Sequence, residues 1–272
     1  MKGRVAVITG GARGIGRAVA VAFAQNGARL VIVSRTPVEI GDTLKILKGL
    51  GAEAIGVVAD VSRCDDVHSV VQKTILAFKT VDVLVNCAAV QKPIGPFVDN
   101  DVNEWIENIN INLIGTVICC KAVLPIMLKN QKGSIINFSG GGAASSRPNF
   151  SAYACSKTAV VRFTEVLADE VKKFNIKVNA VAPGAVNTRM LDEVLQAGAL
   201  AGNELNEAKL RAQKGGASPE AATGLAVFLA SDKSDGLTGR LISAVWDKWC
   251  DFDANAIRQI TDTEKYRLRR VT

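Results

Sequence analysis

The stretch VAVITGGARGIGRAVAVAF, from Val5 to Phe23, carries the most informative pattern in this sequence. It begins as an apolar, strand-like run, passes through Gly10, Gly14 and Gly16, and continues as a helical pattern. Glycine allows the positive φ of a tight turn and lets the backbone approach a phosphate. A helix N-terminus presents free N–H groups and a partial positive charge to that phosphate. The stretch therefore predicts a dinucleotide-binding turn, although tight turns that bind nothing also use glycine.

Six further strand-like runs follow, separated by helical patterns. The runs are continuous and apolar and are bounded by Gly, Asp or Pro: RLVIVS, AIGVVAD, VDVLVN, GSIINFS, IKVNAVAP and RLISAVW. Such runs are typical of parallel strands that are covered on both faces. In the pattern SPEAATGLAVFLAS, Ser218 is a natural N-cap and Pro219 a natural first helical residue.

This alternation predicts an α/β fold, in which a single Rossmann-type domain is built on a doubly wound parallel sheet of about seven strands with helices on both faces. The domain is expected to span residues 1–246, with a substrate lid at about 188–217. Periodicity fades after Trp246, so residues 247–272 are predicted to form a C-terminal tail.

Composition excludes several other classes of protein. The 272 residues include six Cys without a C-x-x-C pair and one His, His68, in a polar-faced helical pattern. We therefore expect no metal site, no disulfide framework and no Ser-His-Asp mechanism. No apolar run approaches the ~20 residues of a membrane span. A strand-like run begins almost at once at the N-terminus, so we expect no signal peptide. The protein is expected to be soluble and cytoplasmic, with no membrane partner.

The net charge of +7 has several explanations. A solvated basic surface is the favoured one, and a phosphorylated cofactor or an anionic substrate accounts for the sign equally well. Aromatic residues make up only 5% of the chain and do not alternate with basic runs, so we expect no nucleic-acid partner.

The spacing T-G-x-x-x-G-x-G in the first turn resembles that of the short-chain dehydrogenase/reductase family. Within that family, the sequence is similar to members like the 3-oxoacyl-carrier-protein reductases. Further motifs follow in family order over residues 3–246: Asp60-Val61, NCAA at Asn86–Ala89, NINLIG around Asn112, Tyr153-x-x-x-Lys157 and PGAVNT at Pro183–Thr188. The resemblance implies a nicotinamide cofactor. It implies contacts to that cofactor from Gly10, Arg13, Gly14, Ile15, Gly16, Ser34, Arg35, Asp60, Val61, Asn86, Ala88, Tyr153, Lys157, Pro183, Gly184, Val186 and Thr188.

The end of the second strand indicates which nicotinamide is bound. An acidic residue there would hydrogen-bond the ribose 2′-hydroxyl of NAD, whereas this chain has Ser34 followed by Arg35, and Arg13 lies in the glycine turn. A guanidinium binds phosphate through two parallel hydrogen bonds. The pattern predicts NADP(H), with solvated surface arginines as the alternative.

Tyr153 and Lys157 are four residues apart, so a helix places them on one face. A nearby ammonium favours the phenolate and is expected to lower the pKa of the tyrosine. The resemblance implies that Tyr153 exchanges a proton with the substrate oxygen and that Lys157 also holds the nicotinamide ribose. It further implies that Asn112 supports a water in the proton relay, in an oxidoreductase that interconverts a ketone and a secondary alcohol.

The strand before Tyr153 departs from the family pattern. Family members usually end it with two serines, the second catalytic, and here Ser139 matches the first and Gly140 the second. Three alternatives stay open. Ser139 acts with the help of a bulge, because adjacent strand residues point to opposite faces. Ser145 or Ser146 folds back from the loop. Or water or the substrate fills the gap. Ser139 is kept as a candidate catalytic residue.

Partners are expected from the same resemblance. The substrate is expected to be a small carbonyl or alcohol, and an anionic one, such as a sugar nucleotide or an acyl thioester, is one option. The helices that contain Asn112 and Tyr153 resemble the family's dimer interface, which predicts a homodimer or homotetramer. Trp246 and Trp249 are candidates to pack on a neighbouring subunit or on the substrate. The basic residues Lys265, Arg267, Arg269 and Arg270 are expected in a solvated tail.

Two other functions remain as alternatives. Loss of the serine would suit a catalytically weak NADP-binding sensor or scaffold on a reductase fold. A non-redox enzyme such as an epimerase would need further acid/base groups near the nicotinamide, and the sequence does not display them clearly.

Overall fold

The computed structural model describes residues 1–269, and its centre is one sheet of seven parallel strands in the order β3-β2-β1-β4-β5-β6-β7. The strands are β1 Val5–Thr9, β2 Arg29–Ser34, β3 Ala54–Val58, β4 Val83–Asn86, β5 Gly133–Phe138, β6 Ile176–Ala182 and β7 Leu241–Ser243. All seven lie in the predicted runs, so the predicted fold class is confirmed. The last strand is much shorter than the run RLISAVW suggested, because the chain turns away after Ser243.

Within residues 1–269, ten α-helices connect the strands or cover the sheet. They are α1 Gly14–Gln25, α2 Pro37–Gly49, α3 Cys64–Phe78, α4 Val102–Ile109, α5 Gly115–Asn130, α6 Ser151–Val171, α7 Arg189–Ala197, α8 Glu204–Lys214, α9 Glu220–Leu229 and α10 Ala254–Thr261. The Ser218 hydroxyl accepts a hydrogen bond from the Glu220 N–H at 3.3 Å. Ser218 therefore caps α9 as predicted, while Pro219 precedes the first helical residue.

Alternate residues of each central strand enter opposite layers of the core. In β1, Ala6 and Ile8 pack in the layer that contains α1 and α9, whereas Val5 and Val7 pack in the layer that contains α3, α5 and α6. This is why the strands are apolar throughout rather than alternating with polar residues. Burial on both faces holds the carboxyl ends of the strands rigidly in place.

The sheet order reverses between β1 and β4. The chain winds outward through β2 and β3 on one side, and through β5, β6 and β7 on the other. In open α/β sheets the crevice at such a switch point, beyond the carboxyl ends of the strands, is where ligands bind. The turn after β1 and the residues after β4 therefore lie at the expected place for a cofactor.

The stretch Val102–Asn130 corrects one expectation from the sequence. It forms a long helical stretch, and an 18-residue window of it reaches a mean hydropathy of 2.0. Its length and composition would allow it to cross a membrane, so the prediction that no apolar run approaches that length is wrong. This is weak evidence for a membrane span, because core helices pass the same test. Here Cys120, Val123 and Met127 are buried in the layer that covers the sheet.

The C-terminal segment packs on the domain. Ile257 and Ile260 of α10 are buried in the same layer as α1 and α9. The ring of Trp249 lies 6.1 Å from that of Phe228 in α9, and its Nε1 donates to the Ala244 carbonyl at 3.1 Å. Trp249 therefore contacts its own chain.

The basic residues of this segment contact α6. Arg267 Nη2 lies 3.5 Å from Asp169 Oδ1, and the Leu268 N–H donates to Glu165 Oε1 at 2.6 Å. Arg269 also pairs with Glu165, at 3.8 Å. The expectation of a solvated basic tail is wrong for Arg267, which is 17% exposed and pairs with Asp169 of α6. Lys265 and Arg269 are exposed, and Arg270 lies outside the described residues.

Candidate active site

The glycine turn after β1 has the close approaches that the sequence predicted. Gly10 and Gly14 have φ of +63° and +53°, in the left-handed region that favours glycine. A Cβ on Gly10 would lie 2.8 Å from the backbone of Ala88, and one on Gly16 would lie 2.2 Å from the Gly10 carbonyl oxygen. The turn therefore brings the N-terminus of α1 against the end of β4. Exposed backbone N–H groups at this point fit a pyrophosphate.

This turn forms one half of a long cleft. The half has a volume of about 400 Å³ and runs from the N-terminus of α1 past the ends of β2, β3 and β4. Most of the predicted cofactor-binding residues line it: Gly10, Arg13, Gly14, Ile15, Gly16, Ser34, Arg35, Asp60, Val61, Ala88 and Thr188. Its shape and its positive φ glycines fit a dinucleotide.

Both arginines at the far end of this half are in ion pairs. Arg35 Nη1 lies 3.5 Å from Asp60 Oδ2, and Arg13 Nη1 lies 3.3 Å from Glu39 Oε1. Burial acts to raise the pKa of Asp60, but hydrogen bonds from Ser62 and the charge of Arg35 outweigh it and hold that pKa below its usual value. Arg35 is 56% exposed and Arg13 44% exposed, so both guanidinium groups are accessible to a ligand in the cleft.

The second half of the cleft lies beyond the ends of β5 and β6 and continues from the first through Ile15, Cys87 and Thr188, which line both. Its volume is about 410 Å³. Six further predicted residues line it: Ser139, Tyr153, Lys157, Pro183, Gly184 and Val186. The structure therefore joins the candidate proton-transfer residues to the candidate cofactor groove.

Tyr153 and Lys157 are both buried on the inner face of α6. Burial raises the pKa of Tyr153 to about 12 and lowers that of Lys157 to about 8. Lys157 Nζ donates to the Phe138 carbonyl at 2.8 Å and lies 5.7 Å from the centre of the Tyr153 ring. The expected lowering of the tyrosine pKa is therefore not found, because desolvation of the phenolate outweighs the nearby charges.

Gly140 lies directly beside the hydroxyl of Tyr153. A Cβ on Gly140 would be 2.2 Å from Tyr153 Oη. Ser139 Oγ is buried and has no hydrogen-bond partner among the residues that the structure describes. The loop alternative is wrong, because Ser145 and Ser146 are exposed and lie away from the cleft. The tyrosine hydroxyl thus occupies the space that a serine side chain would need.

Asn112 lies in a π-helical turn, Asn110–Ile114, between α4 and α5. Its Nδ2 lies within hydrogen-bond distance of the Val90 carbonyl, Asn108 Oδ1 and Ser156 Oγ, at 2.8, 2.9 and 3.0 Å, and its Oδ1 accepts from the Val90 N–H. The side chain thus fastens the segment after β4 to α6. It does not line the cleft.

Asn86 also stands back from the cleft. Its Nδ2 donates to Asn137 Oδ1 of the neighbouring strand at 2.9 Å, and the side chain is buried. The structure places it between β4 and β5, where it couples two strands. Of the predicted cofactor-binding residues, only Asn86 fails to line either half of the cleft.

The segment after β6 covers the second half of the cleft, at about the place where the lid was predicted. Leu191 and Val194 of α7 and Ala208 of α8 are buried in a small apolar cluster with Phe150 and Tyr153. The helices α7 and α8 therefore pack against the tyrosine, and their role as a lid stays a prediction.

Arg147 and Glu204 were not identified from the sequence. The Arg147 guanidinium forms two hydrogen bonds to the Glu204 carboxylate, stacks 3.9 Å above the Phe150 ring and lies 5.2 Å from the centre of the Tyr153 ring. The two residues are 57 positions apart, so no local spacing connects them. The only signal was the position of Arg147 in the loop between the Gly140 turn and α6.

Comparison with known proteins agrees with this geometry. Residues 4–198 match the profile of the short chain dehydrogenase family. Dehydrogenase/reductase SDR family member 4 of Sus scrofa is 34% identical over 242 residues, which cover 89% of this chain and 86% of that protein. The 3-oxoacyl-[acyl-carrier-protein] reductase FabG of Thermotoga maritima is 33% identical over 89% of this chain and 96% of its own. The protein therefore belongs to the short-chain dehydrogenase/reductase family, as the motifs indicated.

Comparison with solved structures agrees with this family assignment. NAD+-bound xylitol dehydrogenase superposes with a TM-score of 0.84 and 25% identity, over 89% of this chain and 97% of that one. An actinorhodin polyketide ketoreductase with NADPH superposes with a TM-score of 0.82 and 28% identity, over 88% and 95%. The family is one of oxidoreductases that use a nicotinamide cofactor and act on small molecules. One neighbour holds NAD+ and another NADPH, so family membership alone leaves the choice of nicotinamide open.

Proposed function

We propose that this protein is an NADP(H)-dependent oxidoreductase that interconverts a ketone and a secondary alcohol, with Tyr153 as the acid/base. The observation that supports it most strongly is the continuous cleft. Its first half carries the glycine turn and two accessible arginines, and its second half ends at the Tyr153 hydroxyl. Family membership supports the reaction class, since relatives include ketoreductases.

A bound nicotinamide supplies or accepts the hydride. The chain itself moves the proton. With its pKa raised to about 12, Tyr153 is protonated at neutral pH and is ready to give a proton to the oxygen of a reduced carbonyl. Lys157 holds its ammonium on the Phe138 carbonyl beside the ring, where it would stabilise the phenolate that remains.

The preference for NADP(H) rests on Arg13 and Arg35. A 2′-phosphate beside them would replace Glu39 and Asp60 as the anionic partner of each guanidinium. Exposed ion pairs of this kind are worth at most about 1 kcal/mol, so exchanging them for phosphate contacts costs little. The absence of an acidic residue at Ser34 removes the group that would repel the phosphate.

The remaining assignments follow from the same site. The substrate is a small carbonyl compound, and Arg211 in the second half of the cleft suits an anionic one, such as a sugar nucleotide or an acyl thioester. We further propose that the protein is cytoplasmic and forms a homodimer or homotetramer. Exposed apolar side chains on α4 and α6, including Ile106 and Val166, support an interface between subunits.

The test is oxidation of NADPH against a broad ketone panel, with Tyr153→Phe beside the wild type. The panel includes acetoacetyl thioesters and keto-sugar nucleotides, and NADH is the parallel cofactor. We expect turnover with NADPH, lost in Tyr153→Phe by about a hundredfold or more because the proton donor is missing. NADPH should still bind to the variant. Turnover that survives in Tyr153→Phe would refute the assignment of the acid.

A second candidate is a catalytically weak NADP-binding sensor or scaffold. The glycine beside the tyrosine hydroxyl and the unpartnered Ser139 hydroxyl favour it, since the usual second hydroxyl group has no place there. Losing one donor to a developing oxyanion costs about a hundred- to a thousandfold in rate. Tight NADPH binding without turnover on any ketone class would support this candidate.

A further inference from the structure

Tyr153 is surrounded by more charged groups than the Tyr-Lys motif contains. Lys157 reaches it along its own helix, and the thiol of Cys87, which is neutral because burial raises its pKa to about 12, lines the same half of the cleft. Arg147 approaches it from the loop before α6, and Glu204 from the first turn of α8. Glu207 and Arg211 of α8 line the same half of the cleft.

Among these groups Arg147 is the most firmly held cation. Its guanidinium carbon lies 5.2 Å from the centre of the Tyr153 ring, compared with 5.7 Å for Lys157 Nζ. It stacks on Phe150 and pairs through two nitrogens with Glu204, and its side chain is only 16% exposed. These contacts hold the guanidinium in place. Lys157, in contrast, donates to the Phe138 carbonyl.

We propose that Arg147 is a positioning residue that sets the proton affinity of Tyr153, and that Glu204 partly offsets its effect. The inference rests on the proposed function, since it concerns the same acid. Arg147 would contribute positive potential at the phenol that lacks a serine neighbour. The carboxylate of Glu204, carried by α8, partly neutralises that potential.

The surrounding charges agree in sign with this account. Besides the dominant effect of burial, Arg147 lowers the pKa of Tyr153 and Glu204 raises it. Cys87 would raise it only as a thiolate, and burial raises the pKa of that thiol to about 12. Removing the Glu204 charge would leave the Arg147 cation alone beside the ring, and the tyrosine would then release its proton more readily.

The experiment follows ionisation of Tyr153 directly, without substrate or cofactor. The chain has two tyrosines, so in a Tyr266→Phe background the phenolate absorbance after a rapid pH jump reports Tyr153 alone. The variants are Arg147→Met, Arg147→Lys and Glu204→Gln. The control is Lys45→Met, which removes the cation of an exposed ion pair with Asp42 on α2. Circular dichroism and thermal melting check that each variant is folded.

At a fixed alkaline pH we expect the ionised fraction of Tyr153 to fall about tenfold in Arg147→Met and to rise in Glu204→Gln. Arg147→Lys should lie between Arg147→Met and the wild type, and Lys45→Met should match the wild type. An unchanged fraction in folded Arg147→Met overturns the inference. If Arg147→Met does not fold, an unchanged or reduced fraction in Glu204→Gln overturns it.

Ketone reduction by the same variants separates this inference from the proposed function. We expect kcat/KM to fall about tenfold in Arg147→Met, with the affinity for NADPH unchanged. If the phenolate responds as predicted but the wild type reduces no ketone, the proposed function fails and the tuning of Tyr153 stands. If the wild type reduces ketones and neither the phenolate nor the rate responds to Arg147→Met, the tuning alone fails.

Discussion

The two halves of the cleft differ in how closely they follow the family pattern. In the cofactor half, the glycine turn, Asp60 and the neighbouring backbone lie where the motifs imply. In the substrate half, a glycine replaces the expected serine, the tyrosine hydroxyl fills its space, and an Arg147–Glu204 pair from two distant segments lies over the ring. The comparison teaches that the part of the site that binds a common cofactor is fixed by local sequence. The part that meets the particular substrate is assembled from long-range contacts.

Gly140→Ser gives the largest expected effect and tests the substrate half. The new Cβ would lie 2.2 Å from Tyr153 Oη, so the hydroxyl must move by about 1 Å. Such a displacement can cost about a hundredfold in rate, and we expect kcat/KM for ketone reduction to fall by that order. Steady-state kinetics with NADPH measures it.

The matched control for this change is Gly141→Ser, whose Cβ would meet Arg147 only at 3.8 Å. It should retain most of the activity. Faster reduction by Gly140→Ser would show that the family serine can be restored without displacing the tyrosine. That result would contradict the account of this half of the cleft.

Gly10→Ala tests the cofactor half. The added methyl group meets the Ala88 backbone at 2.8 Å, and the residue has φ of +63°. We expect about 2 kcal/mol lower free energy of unfolding and about thirtyfold weaker NADPH binding, because strain at such a position is worth about 1–3 kcal/mol. Urea unfolding and fluorescence titration measure the two effects.

Gly41→Ala in α2 is the control for this substitution, since nothing lies within 4 Å of its Cβ position. Removing glycine from a helix interior should stabilise the protein by about 0.5–1 kcal/mol. Unaltered NADPH affinity in Gly10→Ala would refute the assignment of this turn as the phosphate site.

Arg35→Ala tests the choice of nicotinamide. Loss of charge-assisted hydrogen bonds to a 2′-phosphate should weaken NADPH binding about tenfold and leave NADH binding nearly unchanged. Isothermal titration with both cofactors measures the difference. Equal effects on the two cofactors would contradict the preference for NADP(H).

Lys157→Met gives the smallest expected effect, which is a change in the free energy of unfolding. Burial lowers the pKa of Lys157 from 10.5 to about 8, so between these values the unfolded chain binds the proton more tightly and stability rises with pH. Removing the amine should flatten that rise. At pH 7 it should add about 1 kcal/mol to the free energy of unfolding of the protein without cofactor, since the lost hydrogen bond to Phe138 offsets part of the gain. A steeper pH dependence in the variant would contradict the sign.

Much of the fold could be predicted because the strands are buried on both faces and their apolar runs are continuous. The length of the last strand was overestimated, since RLISAVW is a largely apolar run but only Leu241–Ser243 pairs with β6. The packing of the C-terminal segment was missed for the opposite reason. Its attachment depends on scattered residues such as Ile257 and Ile260, which form no conspicuous run.

The site residues divide in the same way, into those that a local sequence pattern predicts and those that it does not. Motif residues such as Gly10 and Tyr153 lie in the cleft because short spacings position them. Asn86 and Asn112 belong to motifs as well, but their side chains hold the scaffold together. Arg147 could not be assigned, because its role depends on Glu204, which a helix far along the chain brings to it.

The measurement that tests the central claim most directly is the transfer of deuterium from nicotinamide-deuterated NADPH to a ketone. Mass spectrometry of the product alcohol compares the wild type with Tyr153→Phe. The account predicts one deuterium on the carbinol carbon with the wild type and at most about one hundredth of that product with Tyr153→Phe. Labelled product formed equally well by both proteins would contradict it.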